Sequence, residues 1–430
     1  MLRLIYNTLI HLALPLLFVR LWFRGNRSPA YRLRWGERLG FFNPPSDSQQ
    51  GICFHCVSVG EAIAATPLIK QIQQQYQHLP ITITTTTPTG SDQVKATFGE
   101  SVFHVYLPFD TPGAIKRFFH QTQPRLLVII ETELWPNLLR FARLSGVKTL
   151  LANARLSHKS AKGYKRIASL SRQMMDDITL IATQNQQDGD RFVALGLAQD
   201  KLAVTGSIKF DICIDEHIAQ RSRQLKAQWG AERPIWVVGS THQGEDELIL
   251  QVYRQVLEVQ PDLLLVLVPR HPERFDQVAQ LIERSQLVSI RRSEALLATK
   301  ESSNDTLDAQ TQVILGDTMG ELMLFWSVAD IAFVGGSLVK HGGHNPLEPC
   351  TFNVPVISGP HVFNFKHIYQ SLAEKQAVLI TSDERQLTDS VIRLLQHPNE
   401  GQQQGRNASA VIAQNRGALE RLHQQINQLL

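Results

Sequence analysis

At 430 residues the chain is long for one hydrophobic core and implies two domains. A 43% hydrophobic and 19% charged composition is ordinary for a globular protein, and four cysteines in such a length argue against a disulfide framework. The net charge of +4 is small but unevenly placed, with seven arginines between Arg3 and Arg38 against a single acid, Glu37. That local excess suits an anionic lipid surface, and with no aromatic stacking platform or repeated basic stripe elsewhere, nucleic acid is not an expected partner.

The chain opens on Leu4 to Val19, which carries no charge. Sixteen helical residues reach about 24 Å, short of a hydrocarbon core of about 30 Å, and Asn7, His11 and Pro15 weaken the segment further. No small-x-small site precedes the arginines, so a cleaved signal peptide fits poorly. The expectation is an uncleaved membrane anchor over 1–24, monotopic or barely spanning, with Trp22 at the interface and the body in the cytoplasm. The bland alternative is a buried amphipathic core helix.

From residue 52 short β-branched runs alternate with amphipathic stretches. Strands are predicted over 52–57, 81–86, 103–107, 125–130, 147–152, 178–182 and 201–204, with helical patterns at 62–77, 136–145 and 185–195. A loop and a polar helix ending at Gly230 occupy 205–232. A second series places strands at 235–239, 263–268, 312–315, 330–334, 354–357 and 377–380, and helices near 244–258, 272–284 and 318–328. The polar stretch 292–310 reads as a loop, and 402–430 as one long helix. The fold class is therefore α/β, with two Rossmann-like doubly wound domains facing a cleft. Cys53 and Cys56 form a C-x-x-C on a strand, where positions three apart point to opposite faces. They are not expected to bind zinc or act in redox chemistry, and a reducing compartment is implied.

Ligands in such sheets bind beyond the carboxyl ends of the strands, so the informative loops follow strands. Glu61, in Val57-Ser-Val-Gly-Glu61, opens a helix where a carboxylate could act as general base and where the helix dipole would keep it ionised. The alternative is a first-turn glutamate that only compensates the dipole. Glu131-Thr-Glu-Leu-Trp-Pro136 ends an apolar strand, so that one carboxylate could face the cleft while the other holds a loop. Lys209 could reach a phosphate as a point charge, or be a surface lysine. Arg270, in Pro269-Arg-His-Pro-Glu-Arg274, suits bidentate phosphate recognition.

Gly316-Asp-Thr-Met-Gly-Glu321 could cradle a base or phosphate. The tract Gly335 to Pro349 is the most informative of all. Its paired glycines permit positive φ and close approach, and Asn345 reads as an N-cap with Pro346 at the first helical position. Such a loop is an anion site, and Glu348, one turn inside, could accept hydrogen bonds from a ribose. His341, His344 and His361 fit no compact metal-ligand spacing, so metal independence is expected.

The chain strongly resembles the Kdo transferases of lipopolysaccharide core assembly. The motifs are Ser58-x-Gly-Glu61, Glu131-Thr-Glu-Leu-Trp-Pro136, Gly206-x-x-Lys-Phe-Asp211, Pro269-Arg-His-Pro-Glu-Arg274, Gly316-Asp-Thr-x-Gly-Glu321 and Gly335 through Pro349. The resemblance implies a glycosyltransferase B-type fold divided as anchor 1–24, acceptor domain 25–212, CMP-sugar donor domain 213–402 and C-terminal helix 403–430. It implies inverting transfer of 3-deoxy-D-manno-octulosonic acid (Kdo) from CMP-Kdo to a tetra-acylated lipid A precursor, with no metal or cofactor, on the cytoplasmic face of a bacterial inner membrane. By motif, Glu61 would be the base, and Glu131 and Lys209 would stabilise the transition state. Pro269, Arg270, Met319, Gly320, Glu321, Asn345, Pro346, Leu347 and Glu348 would contact CMP. The rivals are a transferase using a UDP-sugar on a lipid acceptor, a membrane-attached nucleotide-sugar binding protein, and an epimerase of the same fold class.

Overall fold

A computed structural model describes residues 2–26, 28–212, 214, 216–295 and 306–430. The chain divides into two compact units, Met1–Asp211 with Asn415–Leu430, and Ile212–Gln414.

The first unit is built on a seven-stranded sheet in the order β3-β2-β1-β4-β5-β6-β7. The strands are β1 (Ile52–His55), β2 (Ile81–Thr85), β3 (Phe103–Tyr106), β4 (Leu126–Ile130), β5 (Lys148–Ala154), β6 (Leu180–Thr183) and β7 (Leu202–Val204). Every pairing is parallel. Helices cover both faces of such a sheet, so its central strands are apolar throughout, and β4 (Leu-Leu-Val-Ile-Ile) is buried at all five positions. The alternation of side chains sends Phe54 and Cys56 into one hydrophobic cluster and Cys53 into the other. The two sulfurs thus lie on opposite faces.

The second unit repeats the plan in the order β10-β11-β9-β8-β12-β13-β14, again with parallel pairings. Its strands are β8 (Ile235–Thr241), β9 (Leu264–Pro269), β10 (Ser289–Arg291), β11 (Val313–Leu315), β12 (Ile331–Val334), β13 (Val356–Ser358) and β14 (Leu379–Ile380). The sequence pattern missed β10, a three-residue edge strand (Ser-Ile-Arg) that is never fully buried and so lacks an apolar signature. Of the loop expected at 292–310, residues 296–305 lie outside the described residues, and 292–295 are helical.

Two further expectations are corrected. The single helix over 402–430 is two helices, Pro398–Asn415 and Ala418–Leu429, separated at Gly417 with φ +89°. The Asp211 carboxylate accepts from the amides of Gly417 (2.6 Å) and Leu419 (2.7 Å), capping the last helix from 206 residues away in sequence. Ala418, Leu422 and Ile426 then enter the same cluster as β1 and β2, so the expected separate C-terminal helix is split between the units.

The amino-terminal helix, Leu2–Arg24, is long and apolar enough to cross a membrane. It nevertheless docks on the first unit. Arg3 pairs with Asp177 (3.1 Å), the Tyr6 hydroxyl donates to Asp110 (2.9 Å), Asn137 donates to Asn7 (2.9 Å), and Phe18 packs on Trp35 and Phe109. The docked residues recur at helical spacing. On the other face Leu4, Leu9, Leu12, Leu16 and Phe23 stand open, between 59% and 71% exposed. One face of the helix thus packs on the body through both polar and apolar side chains, while the open face is an apolar stripe compatible with a membrane anchor.

Candidate active site

In the first unit the strand order reverses between β1 and β4, the place where doubly wound sheets open a crevice. Beyond β1, Ser58 caps the helix Val59–Gln75. Its Oγ accepts from the Glu61 amide and its hydroxyl donates to Glu61 Oε1 at 3.0 Å, while the Val57 N–H donates to Oε2 at 2.6 Å. This variant of the capping box holds the carboxylate at the helix start. The expectation that the helix end keeps Glu61 ionised is overturned. Burial first, and then the Glu131 carboxylate, push its pKa up to about 7 against the pull of the Val57 and Ser58 hydrogen bonds.

Glu131 is the first residue after β4. It has φ +60°, and its amide donates to Ala152 O on β5 at 2.9 Å, which turns the chain sharply where the strand ends. Its Oε1 lies 2.9 Å from Lys209 Nζ, with the two side chains 30% and 24% exposed. Lys209 sits in the one-turn helix Ile208–Phe210, tied to β5 by the Asn153 side chain, which accepts from the Ile208 amide (3.2 Å). Three residues distant in sequence, Glu61, Glu131 and Lys209, are thus brought together. The neighbouring carboxylate, Glu133, instead accepts from the Trp135 indole at 2.8 Å and holds that loop.

In the second unit the order reverses between β8 and β12. The glycine tract after β12 does hold an anion, but an internal one. The amides of Gly336 (2.6 Å), Ser337 (2.9 Å) and Leu338 (2.9 Å) all donate to Glu245, and so does that of His242 (2.9 Å). Glu245 is fully buried at the start of the helix Asp246–Leu257. A Cβ at Gly335 would lie 2.6 Å from Ser240 O, so glycine is required there for the two loops to meet. The anion-cradle expectation therefore fails for residues 336–338.

The helix after the tract is the single turn Leu347–Cys350, and its N-cap is Pro346, one residue later than expected. Asn345 still does capping work, its Oδ1 accepting from the Leu347 amide at 3.2 Å. Glu348 is pushed up from the ordinary carboxylate range by burial, against the pull of Trp326, Asn345 and Arg270. Pro269, Pro346 and Leu347 are buried, so a ligand could meet them through the main chain alone. Arg270 is exposed at the end of β9, its amide donating to Thr241 O (3.0 Å). Met319 is 67% exposed beside Gly320, which has φ +82° and open space around it. Glu321 faces protein instead. Its carboxylate takes Arg292, Arg221 and Thr318, which outweigh burial and lower its pKa.

A histidine group in the same unit had no sequence signal beyond scattered positions. His242 Nε2 lies 2.9 Å from His344 Nε2, stacks on His341 (centroids 4.1 Å) and meets His271 edge-on at 5.4 Å. Burial, with the neighbouring imidazoles and Arg270, lowers His242 to about 4 and His344 to about 3. His361, considered beside His341 and His344 from the sequence, makes no ring contact with this group. The sequence reading missed His242 and Glu245 because it did not single out the loop after β8.

Paired parallel-sheet units with their side-chain chemistry at the strand ends define the two-domain fold class of glycosyltransferases and sugar-nucleotide epimerases. Solved structures of that class superpose on the chain. A UDP-N-acetylglucosamine 2-epimerase matches with TM-score 0.56 at 13% identity (89% of this chain, 97% of that one), and the Neisseria meningitidis UDP-GlcNAc 2-epimerase with 0.55 at 12% (88% and 100%). The family model for 3-deoxy-D-manno-octulosonic-acid transferase (kdotransferase) matches residues 33–212, and that for glycosyl transferases group 1 matches 233–411. The 3-deoxy-D-manno-octulosonic acid transferase of Haemophilus influenzae is 47% identical over 98% of this chain and 97% of its own length, and that of Bordetella pertussis is 32% identical over 97% of each. The chain belongs to the Kdo transferase family.

Proposed function

We propose that the chain transfers Kdo from CMP-Kdo to a tetra-acylated lipid A precursor, with inversion and without a metal, at the cytoplasmic face of a bacterial inner membrane. The observation that carries the reading is Glu61, a carboxylate pinned by Val57 and Ser58 and poised near pH 7 beside the Glu131–Lys209 pair. A base with a pKa near the working pH combines a useful ionised fraction with enough basicity to take a proton. Glu61 removes the proton of an acceptor glucosamine hydroxyl as that oxygen bonds to the anomeric carbon of Kdo. The bond from that carbon to the CMP phosphate oxygen breaks, and CMP leaves with the electron pair. Attack opposite the leaving group inverts the centre.

Lys209, held by Glu131, offers a cation to the negative charge of the transferring group. Support for a CMP donor comes from the second unit, where Arg270 stands exposed at a strand end and the open turn at Met319-Gly320 leaves room for a base. Residues 25–212 serve the acceptor and 213–402 the donor in this reading. A single phosphate carries less charge than a diphosphate, so side-chain cations suffice for it. The test is mass analysis of products from CMP-Kdo and the lipid acceptor with wild type and Glu61→Gln. Wild type should add the mass of Kdo, and the variant should add none while binding CMP normally. Turnover by Glu61→Gln at the wild-type rate would remove Glu61 from the role of base.

A further inference from the structure

Between the docked amino-terminal helix and the first unit lies a cavity of about 330 Å³. Ile10, Leu17 and Leu21 form the helix side, and Leu107, Phe109 and Trp135 face them from the body. Three arginines, Arg20, Arg24 and Arg38, look into the same space. Among the described residues the one acid in the lining is Asp110, and its carboxylate is already used by the Tyr6 hydroxyl and the amides of Asn137 (2.9 Å) and Leu138 (2.8 Å). The cavity therefore combines an apolar wall with an unbalanced cationic one.

Arg38 is the built element. It is 4% exposed, its guanidinium lies over the Tyr106 ring at 4.4 Å, and its Nε is buried without a hydrogen-bond partner among the described residues. Burying a guanidinium with an unused donor is costly unless something else meets it. Arg38 also begins a chain of contacts that ends on Glu61. Its Nη2 donates to Thr86 O (2.9 Å), the Thr86 hydroxyl donates to Val57 O (3.0 Å), and the Val57 N–H holds the Glu61 carboxylate. The outer face of the same helix is the exposed apolar stripe, so the cavity opens beside the surface that would rest in lipid.

We propose that this cavity is the subsite for the lipid acceptor's phosphorylated, acylated end, with Arg38, Arg20 and Arg24 meeting the phosphate and Ile10, Leu17 and Leu21 the first carbons of one acyl chain. The inference rests on the glycolipid-acceptor reading above and deepens it. The anchor helix is then part of the binding site as well as the attachment to the membrane. A volume at the lower end of the ~300–1,000 Å³ usual for ligand pockets accommodates one such end, leaving the other chains in the bilayer.

The test is equilibrium binding to the full chain in zwitterionic nanodiscs, without donor, of a radiolabelled tetra-acyl glucosamine disaccharide with and without its phosphates. Wild type should bind the phosphorylated form at least ten times more tightly. Arg38→Met should remove that preference, and Ile10→Trp, which fills the cavity, should weaken both forms. Should Arg38→Met fail to fold, the exposed Arg24→Gln with Ile10→Trp supplies the same pair of readouts. Equal binding of the two forms by wild type, or unchanged affinity in Ile10→Trp, overturns the proposal. Equally effective competition by phosphatidylglycerol vesicles also overturns it, because the cavity would then hold bulk lipid. Because no turnover is involved, absence of Kdo transfer would count against the proposed function and leave this result readable.

Discussion

Glu61 and Glu245 occupy corresponding places. Each follows the strand before a reversal of order, each begins the next helix, and each faces the loop that leaves the strand across that reversal. Their surroundings decide what they become. Glu245 accepts from four backbone amides, so both its oxygens are paired and it closes two loops against each other. Glu61 meets one amide and one hydroxyl, and across the reversal stands Glu131, a second carboxylate. A carboxyl group with its lone pairs filled by fixed donors is structural, whereas one with a like charge opposite and donors in short supply can exchange a proton. The same crevice of the same fold thus holds a clasp in one unit and a candidate base in the other.

The comparison breaks or sharpens under substitution. The largest effect is expected at Glu61, where Gln should lower transfer by roughly 10²–10⁴ while CMP affinity, read by titration calorimetry, stays near wild type. Next comes Glu245→Ala, which strands the two buried N–H groups of Gly336 and Ser337 and the two part-buried ones of His242 and Leu338, at about 1–3 kcal/mol for each that stays buried and unsatisfied. Urea unfolding should show a loss of at least about 3 kcal/mol, and a loss below ~1 kcal/mol would end the clasp interpretation.

The pH dependence follows from the raised pKa of Glu61. The basic form is lost as pH falls through about 7, so kcat/KM for the acceptor should drop about tenfold per unit below that value. In Glu131→Gln, residual activity should show this limb moved to lower pH, because the repelling carboxylate is gone. A limb that stays in place would show that Glu131 does not set it. Stability carries the opposite sign. A carboxyl group raised in the folded state binds its proton more tightly than in the unfolded chain, so wild type loses stability relative to Glu61→Gln as pH rises from about 4.5 to about 7. Thermal melts of the two proteins at pH 5 and pH 8 measure that difference. The smallest effect is expected at Met319, exposed beside an open glycine turn. Alanine there should change stability by less than about 0.5 kcal/mol and act, if at all, on CMP affinity.

The alternation of apolar runs and amphipathic stretches was enough to read the parallel sheets, because buried central strands such as β4 and β9 carry no polar residue to confuse the period. Glu61, Glu131 and Lys209 were legible for a related reason: chemistry in this fold follows strands, and each lies within a few residues of a strand's carboxyl end. What the sequence concealed depends on contacts between distant segments. Glu245 is an unremarked helix-start acid until the amides after β12, some ninety residues later, close on it. Local reasoning about the helix dipole likewise misjudged the ionisation of Glu61, since burial and Glu131 act through tertiary structure. The break at Gly417 was hidden because the helical spacing of apolar residues resumes after it, while its cause, Asp211, lies in another part of the chain.

The return of the last helix to the first unit has a consequence for biosynthesis. Ala418, Leu422 and Ile426 fill the core beside β1 and β2, so a nascent chain carrying every catalytic candidate still lacks part of the wall behind its first sheet. That wall arrives only once the helix Ala418–Leu429 has been synthesised. A stalled or prematurely terminated product would therefore present an open apolar seam, recognisable to proteases, at the back of an otherwise assembled sheet. Folding of the first unit thus waits on a helix encoded beyond the whole of the second.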